Sequence, residues 1–340
     1  MPFERGHGEE TIITGVLQPA PTRSLDDQAH AVLAVLLRGR RLLPIEPGDD
    51  GAREAELAVH VPKLRPLLAA QRAIELILPA FPAKSSNRRK TLGDLPDLGE
   101  RLGLARLQDL CDEIRALYAP GASVTICSDG RVFSDLVGVS DEAVTRYREA
   151  LKALIARIGA PDLRVFDLDD VFDAPDYVSM REELLVGHAE SIAVLKRRVR
   201  ESVPARELFN GIHRFIFEDT LEAAVGNASR SQVRERSKHV AYRVIQRSNA
   251  WSSLIARHFP AALRLSIHPQ PRVSEKIGIS LVRCANPWGT PWHSVVLADR
   301  DGYRLVKRAE AEQQNAVLVY RDGRPSHFAL HDALVREMVA

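Results

Sequence analysis

The chain has 340 residues, 45% hydrophobic and 27% charged, which is enough apolar mass for one large core or two modest ones and excludes a disordered chain. Its 47 basic residues face 45 acidic ones, a formal net charge of +2, so nucleic acid is not the default partner. Cys111, Cys127 and Cys284 lie far apart with no C-x-x-C pair, which argues against a disulfide framework or a zinc knuckle and fits a reducing cytoplasm.

From the start of the chain, Met1 to Ala20 carries Glu4, Glu9 and Glu10 and lacks an apolar stretch behind a basic start, so no signal peptide is expected. Apolar runs such as Ala31 to Leu37 are too short for a membrane span. A helix is predicted over Leu25 to Leu37, then a loop around Pro44, Pro47, Gly48 and Gly51. That loop suggests an N-terminal helical and loop segment over 1–60, ahead of an α/β catalytic domain over 61–340.

Ile74 to Leu78 reads as a strand. Leu104, Leu107, Cys111, Ile114 and Tyr118 then step by three and four, which predicts a helix ended by Pro120-Gly121. Val124 to Cys127 is the next strand. A second helix follows through Val144, Tyr147, Leu151, Leu154 and Ile158, opened by Ser140 as N-cap with Asp141 and Glu142 in its first turn. Leu163 to Phe166 reads as a strand, and Arg230 to His258 as a long helix with seven cations against Glu235. Strands are predicted at Leu263 to Ile267, Ile279 to Val282, Ser294 to Leu297 and Val317 to Tyr320, with turns at Asp301-Gly302 and Asp322-Gly323. The alternation of strands and helices predicts an α/β fold with a mixed, Rossmann-like central sheet, helices on both faces and a hairpin-rich C-terminal part.

Three predicted strands run into polar loops: Leu78 into Lys84 to Lys90, Cys127 into Asp129 to Arg131, and Leu265 into His268-Pro269-Gln270. In open α/β sheets ligands bind at the carboxyl ends of strands, so the three loops are candidates for one crevice. In the first loop Lys84, Arg88, Arg89 and Lys90 stand among Ser85, Ser86 and Asn87, cations and directed hydrogen-bond donors that suit a phosphate. A solvated basic loop is the competing reading. Phe81 is the only aromatic nearby, which disfavours a single-stranded nucleic-acid platform.

Asp129 stands just past a strand, where a base or amine anchor is useful, although Ser-Asp-Gly is also common turn chemistry. Asp135 reads either as a second carboxylate or as a helix cap. His268, Lys276 and His293 are candidates for proton transfer, and Arg247 and Trp251 on the cationic helix, like Arg131, for contacts to substrate. No H-x-H or H-E-x-x-H spacing supports a metal, and the Walker and Rossmann glycine fingerprints are absent, so neither ATP nor NAD is implied.

Pro82-Ala83-Lys84-Ser85 with Asn87, Lys90 and Leu95-Pro96-Asp97, the run Ser128 to Glu142, Arg247-Ser248 with Ala250-Trp251-Ser252, Arg264-Leu265-Ser266-Ile267-His268 and Thr290-Pro291-Trp292-His293 together resemble the isonitrile synthases of the pyoverdine/dityrosine biosynthesis family. The family often has proline where this chain has Ser86. The resemblance implies conversion of the α-amine of an aromatic amino acid, most often L-tyrosine, into an isonitrile with the carbon supplied by C2 of ribulose 5-phosphate, without a cofactor or metal. It also implies a pathway partner, an iron- and 2-oxoglutarate-dependent oxygenase. On that chemistry Lys84, Ser86, Asn87, Arg89 and Lys90 are assigned to the phosphate and sugar hydroxyls, Arg131, Arg247 and Trp251 to other substrate contacts, and Asp129, His268, Lys276 and His293 to acid-base work or anchoring. A branch of the family that forms N-formyl tyrosine is the alternative, followed by a nucleic-acid-binding module.

Overall fold

The computed structural model of the protein describes residues 24–43, 52–223 and 229–339. The loop expected around Pro44 to Gly51 and the reading of Met1 to Ala20 fall outside them. Among the described residues nine strands form two sheets. The first, in the order β3-β2-β1-β4-β5, comprises β1 (Ile74–Pro79), β2 (Ala122–Cys127), β3 (Leu163–Phe166), β4 (Leu263–Ser266) and β5 (Lys276–Gly278), and every pairing is parallel. The second, in the order β7-β6-β9-β8, comprises β6 (Val295–Asp299), β7 (Gly302–Val306), β8 (Val317–Arg321) and β9 (Arg324–Ala329), with one parallel and two antiparallel pairings. The mixed character expected of the sheet is thus concentrated in the C-terminal one. Asp322 and Gly323 both have positive φ, 51° and 73°, the primed-turn geometry that matches strand twist in a two-residue hairpin.

The α-helices among these residues are α1 (Leu25–Leu37), α2 (Ala52–Ala69), α3 (Leu98–Leu117), α4 (Gly130–Phe133), α5 (Asp141–Arg157), α6 (Tyr177–His188), α7 (Ile192–Glu201), α8 (Val203–Ala223), α9 (Arg230–His258), α10 (Arg308–Gln313) and α11 (His331–Val339). Because side chains alternate along a strand, Leu76 and Leu78 enter one core and Ile77 the opposite one. The first core is closed by α1, α2, α3 and α5; the second by α6 and α9, through Met180, Leu184, Ala250, Trp251 and Leu254. The boundary expected at residue 60 falls inside α2, and α1 packs in the same core as the sheet.

Ser140 caps α5 by accepting from the Ala143 amide, as its sequence predicts. The strand expected over Ile279 to Val282 is displaced: β5 ends at Gly278, and Ile279, Leu281 and Val282 are buried in the first core without a ladder. Their apolar character reflects packing rather than pairing. No helix among the described residues is long and apolar enough to cross a membrane.

Candidate functional site

Strands β2, β1 and β4 are neighbours, so the three polar loops predicted from the sequence leave one edge of the sheet side by side. The connection from β1 runs toward β2 and β3, whereas the chain returns from β3 to the far side of β1. The β1/β4 boundary is therefore the switch point at which a parallel sheet opens a crevice.

The loop after β1 is bent sideways. Phe81 is fully buried with φ at 56°, a left-handed conformation that a bulky side chain adopts only under constraint. Its carbonyl accepts from the Ser128 hydroxyl at 3.0 Å, and its ring lies 5.2 Å from that of Trp292. The next carbonyl, of Pro82, presses on Gly130 so closely that a Cβ there would stand 2.0 Å from it. Further on, the Ser85 amide donates to the Trp292 carbonyl at 3.0 Å. The β1 loop is thereby clamped between the end of β2 and the turn over Pro291–His293.

Besides Nε and Nη1 of Arg131, four buried polar atoms on these strand-end segments have no hydrogen-bond partner among the described residues: Asp129 Oδ1, His268 Nδ1, Thr290 Oγ1 and His293 Nδ1. Groups of this kind cost stability unless a ligand uses them. Asp129 stands at the N-cap of α4, yet its side chain makes no capping bond, so turn chemistry does not account for it. Burial pushes its carboxyl up to about 7.

The histidines shift the other way. Burial, then Arg41 and Lys276, holds His268 at about 4; burial, then Lys90, Lys84 and His268, holds His293 at about 3. Both imidazoles are neutral at ordinary pH and lie within the field of these cations, an environment that favours an anionic ligand. Arg41, which no motif singles out, braces this region by donating to the carbonyls of Ile267, Pro287 and Gly289.

The first loop divides into an inner and an outer part. Lys84 is completely buried, and its three donor directions are taken by Asp97 at 2.7 Å, Glu100 at 2.8 Å and the Pro291 carbonyl at 3.0 Å. Burial opposes its charge, but the two carboxylates more than restore it. Burial pushes Asp97 up to about 7, against the pull of Lys84. Tyr147 closes the cluster by donating to Glu100. Lys84 is therefore a structural cation and not a phosphate ligand, a correction that follows from its exhausted donors.

On the outer part, Lys90 and Asn87 are half-buried and both donate to Asp219 Oδ1 of α8, at 2.7 and 2.9 Å. Ser86 and Arg89 are exposed on the same loop. Arg308 of α10 donates to the Arg88 carbonyl at 2.8 Å, so the second sheet's helix supports the loop from outside.

Three other assignments need correction. Arg131 points away from the crevice, buried between Asp167 and Asp169 and packed on the Tyr177 ring at 3.9 Å. Arg247 binds the Val132 carbonyl and Asp135, which ties α9 to α4; Asp135 is thus an ion-pair partner and neither a second catalytic carboxylate nor a cap. Trp251 is core, stacked on Phe166 at 5.7 Å with its indole N–H on the Cys127 carbonyl. Lys276 opens the edge strand β5 opposite Arg264 and is exposed; its charge reaches His268, but it makes no hydrogen bond to it.

A cleft of about 820 Å³ lies elsewhere, between α5 and the β8–β9 hairpin over the outer side of residues 92–98. None of the four partnerless groups lines it, so it is not the site these groups define.

Residues 64–319 match the family model described as pyoverdine/dityrosine biosynthesis protein. The chain is 43% identical over 320 residues to an L-tryptophan isonitrile synthase of Fischerella ambigua, covering 93% of this chain and 95% of that one. It is 42% identical over 307 residues to an L-tyrosine isonitrile synthase of Pseudomonas aeruginosa, covering 88% and 93%. The crystal structure of the PvcA protein from Pseudomonas aeruginosa superposes with a TM-score of 0.85 at 40% identity, over 89% of this chain and 99% of that one.

Proposed function

Because the chain belongs to the pyoverdine/dityrosine biosynthesis family, we propose that it is an isonitrile synthase, converting the α-amine of L-tyrosine into an isonitrile with the carbon drawn from C2 of ribulose 5-phosphate. Relatives named for L-tryptophan are equally similar, which makes tryptophan the competing substrate. The observation that carries the reading is the pair of neutral, buried imidazoles at the switch point, each with a partnerless nitrogen and cations nearby.

The reaction needs a neutral amine to attack the ketone at C2, water to leave, and the carbon–carbon bonds on either side of that carbon to break. Each step moves a proton, so groups able to give or accept one must flank a single bound intermediate. Asp129, with its carboxyl held near neutrality, suits both directions of transfer. Burial and the nearby cations make His268 and His293 weak bases. An arriving phosphate or carboxylate offsets the nearby cations and raises their basicity, so anion binding itself prepares them to take a proton. Asn87 and Lys90, with Ser86 and Arg89 beside them, are the phosphate contacts; Lys84 holds the loop from behind.

An isonitrile of this type is a substrate for oxidative tailoring, and an iron- and 2-oxoglutarate-dependent oxygenase is the expected pathway partner. Incubation of the purified protein with ribulose 5-phosphate and either L-tyrosine or L-tryptophan, read by mass spectrometry, tests the proposal. An isonitrile from tyrosine is the expected product. N-formyl tyrosine in its place, or no product with either amino acid, overturns it.

A further inference from the structure

Helices α7 and α8 are seated on α9 by a small core of their own, formed by Leu195, Val199, Phe209, Ile216, Ala241, Val244 and Ile245. This cluster is separate from the two cores that hold the parallel sheet. From it α8 extends Phe215, Glu218 and Asp219 to the strand-end loops. The Phe215 ring lies 4.2 Å from that of His293 and 4.3 Å from the Lys90 amine.

The same amine meets Asp219 at 2.7 Å and Glu218 at 3.7 Å. Asp219 Oδ1 also accepts from the Asn87 side chain at 2.9 Å. Asn87 is fixed for this: its own Oδ1 accepts from the Arg89 amide, and its carbonyl from the amides of Lys90 and Thr91. An ammonium and an oriented amide thus converge on one carboxylate oxygen, the donor set expected for a phosphate oxygen.

We propose that Asp219 is a stand-in for the substrate's phosphate, occupying the anion subsite of the resting enzyme and leaving it when the sugar phosphate arrives. The inference rests on the phosphate reading above and adds a component to it. A dianion outcompetes a single carboxylate for Lys90 and Asn87, and once seated it repels both Asp219 and Glu218. Displacement of Asp219 loosens the end of α8 and draws Phe215 off His293. The ligand that fills the subsite thereby uncovers the imidazole its carbon chemistry needs. Part of the phosphate's binding energy is consumed in releasing the latch, which weakens apparent affinity in the intact protein.

The test measures the Kd of inorganic phosphate by titration calorimetry on the full chain, for the parent protein, Asp219→Asn, Asp219→Ala and Lys90→Ala. Removal of the internal competitor should tighten phosphate roughly two- to fivefold in both Asp219 variants, the scale of a partly exposed ion pair. Lys90→Ala should weaken it about tenfold or more. In hydrogen exchange, amides 212–220 should speed up when phosphate binds the parent protein and should already be fast in Asp219→Asn alone. Unchanged or weaker phosphate binding in the Asp219 variants, with Lys90→Ala still damaging, overturns the latch and leaves the phosphate subsite standing. No phosphate binding by any form, or binding indifferent to Lys90, overturns the phosphate reading and the latch with it.

Discussion

Asp129 concentrates the conflict between stability and chemistry in one carboxyl. Its folded-state pKa, about 7, exceeds the ordinary 3.8, so the folded protein retains a proton that the unfolded chain releases. The resulting penalty is absent below about pH 4, grows as pH rises and is full above about 7. Asp129→Asn should therefore raise Tm by a few degrees at pH 8 and by little at pH 4, while turnover falls about a hundredfold or more. A scan of Tm against pH for both proteins, beside product formation, checks both statements. His268 and His293 carry the opposite sign. Their pKa values lie below the ordinary 6.5, so the stability they allow above that pH is lost as pH falls toward about 4 and 3.

Lys84 gives a contrasting result, because its partners are internal. Lys84→Met leaves Asp97 and Glu100 facing each other in a buried cluster, and about 3–5 kcal/mol of stability should be lost. Denaturant unfolding measures this. A Lys84→Met protein that kept its stability and lost only affinity for ribulose 5-phosphate would restore the phosphate assignment made from the sequence.

Among the elements, the clamp of the β1 loop against α4 is the most sensitive joint. Gly130→Ala would drive a methyl group into the Pro82 carbonyl, two backbones that have no soft side chain between them to yield. A loss of about 1–3 kcal/mol, with activity falling further than stability, is expected from thermal melts and turnover measured side by side. The elements themselves were largely legible: α1 and α9 have the bounds their periodicity predicts, and β1 through β4 follow their β-branched and aliphatic runs. Residues 279–282 were not, because an apolar run reports burial, and whether it also pairs depends on how far the edge strand extends. The site was legible in part for the same kind of reason. Asp129 and His268 follow predicted strands and His293 precedes one, so all three could be placed by position. The buried partners of Lys84, the inward turn of Arg131, the bracing by Arg41 and the reach of Asp219 are choices of tertiary neighbour that no local pattern records.

Across the whole molecule, two large cores hold a parallel sheet, a smaller third core carries α7 and α8, and the C-terminal sheet supports the phosphate loop through Arg308. Each of these bodies touches the strand-end loops, which explains why residues from distant parts of the chain meet there. The order of strands adds a temporal consequence. β1, β2 and β3 leave the ribosome in sequence and can pair at once, but β4, which completes the other side of β1, begins only at Leu263, after four intervening helices. Until then the nascent chain exposes one raw edge of β1 beside an unfinished crevice, and closing so long a loop is slow. Synthesis therefore passes through a stage with Asp129 in place and His268 and His293 not yet made. In that interval the protein holds one of its three proton-transfer groups and an open sheet edge, the period of greatest exposure to misassembly and to chaperones.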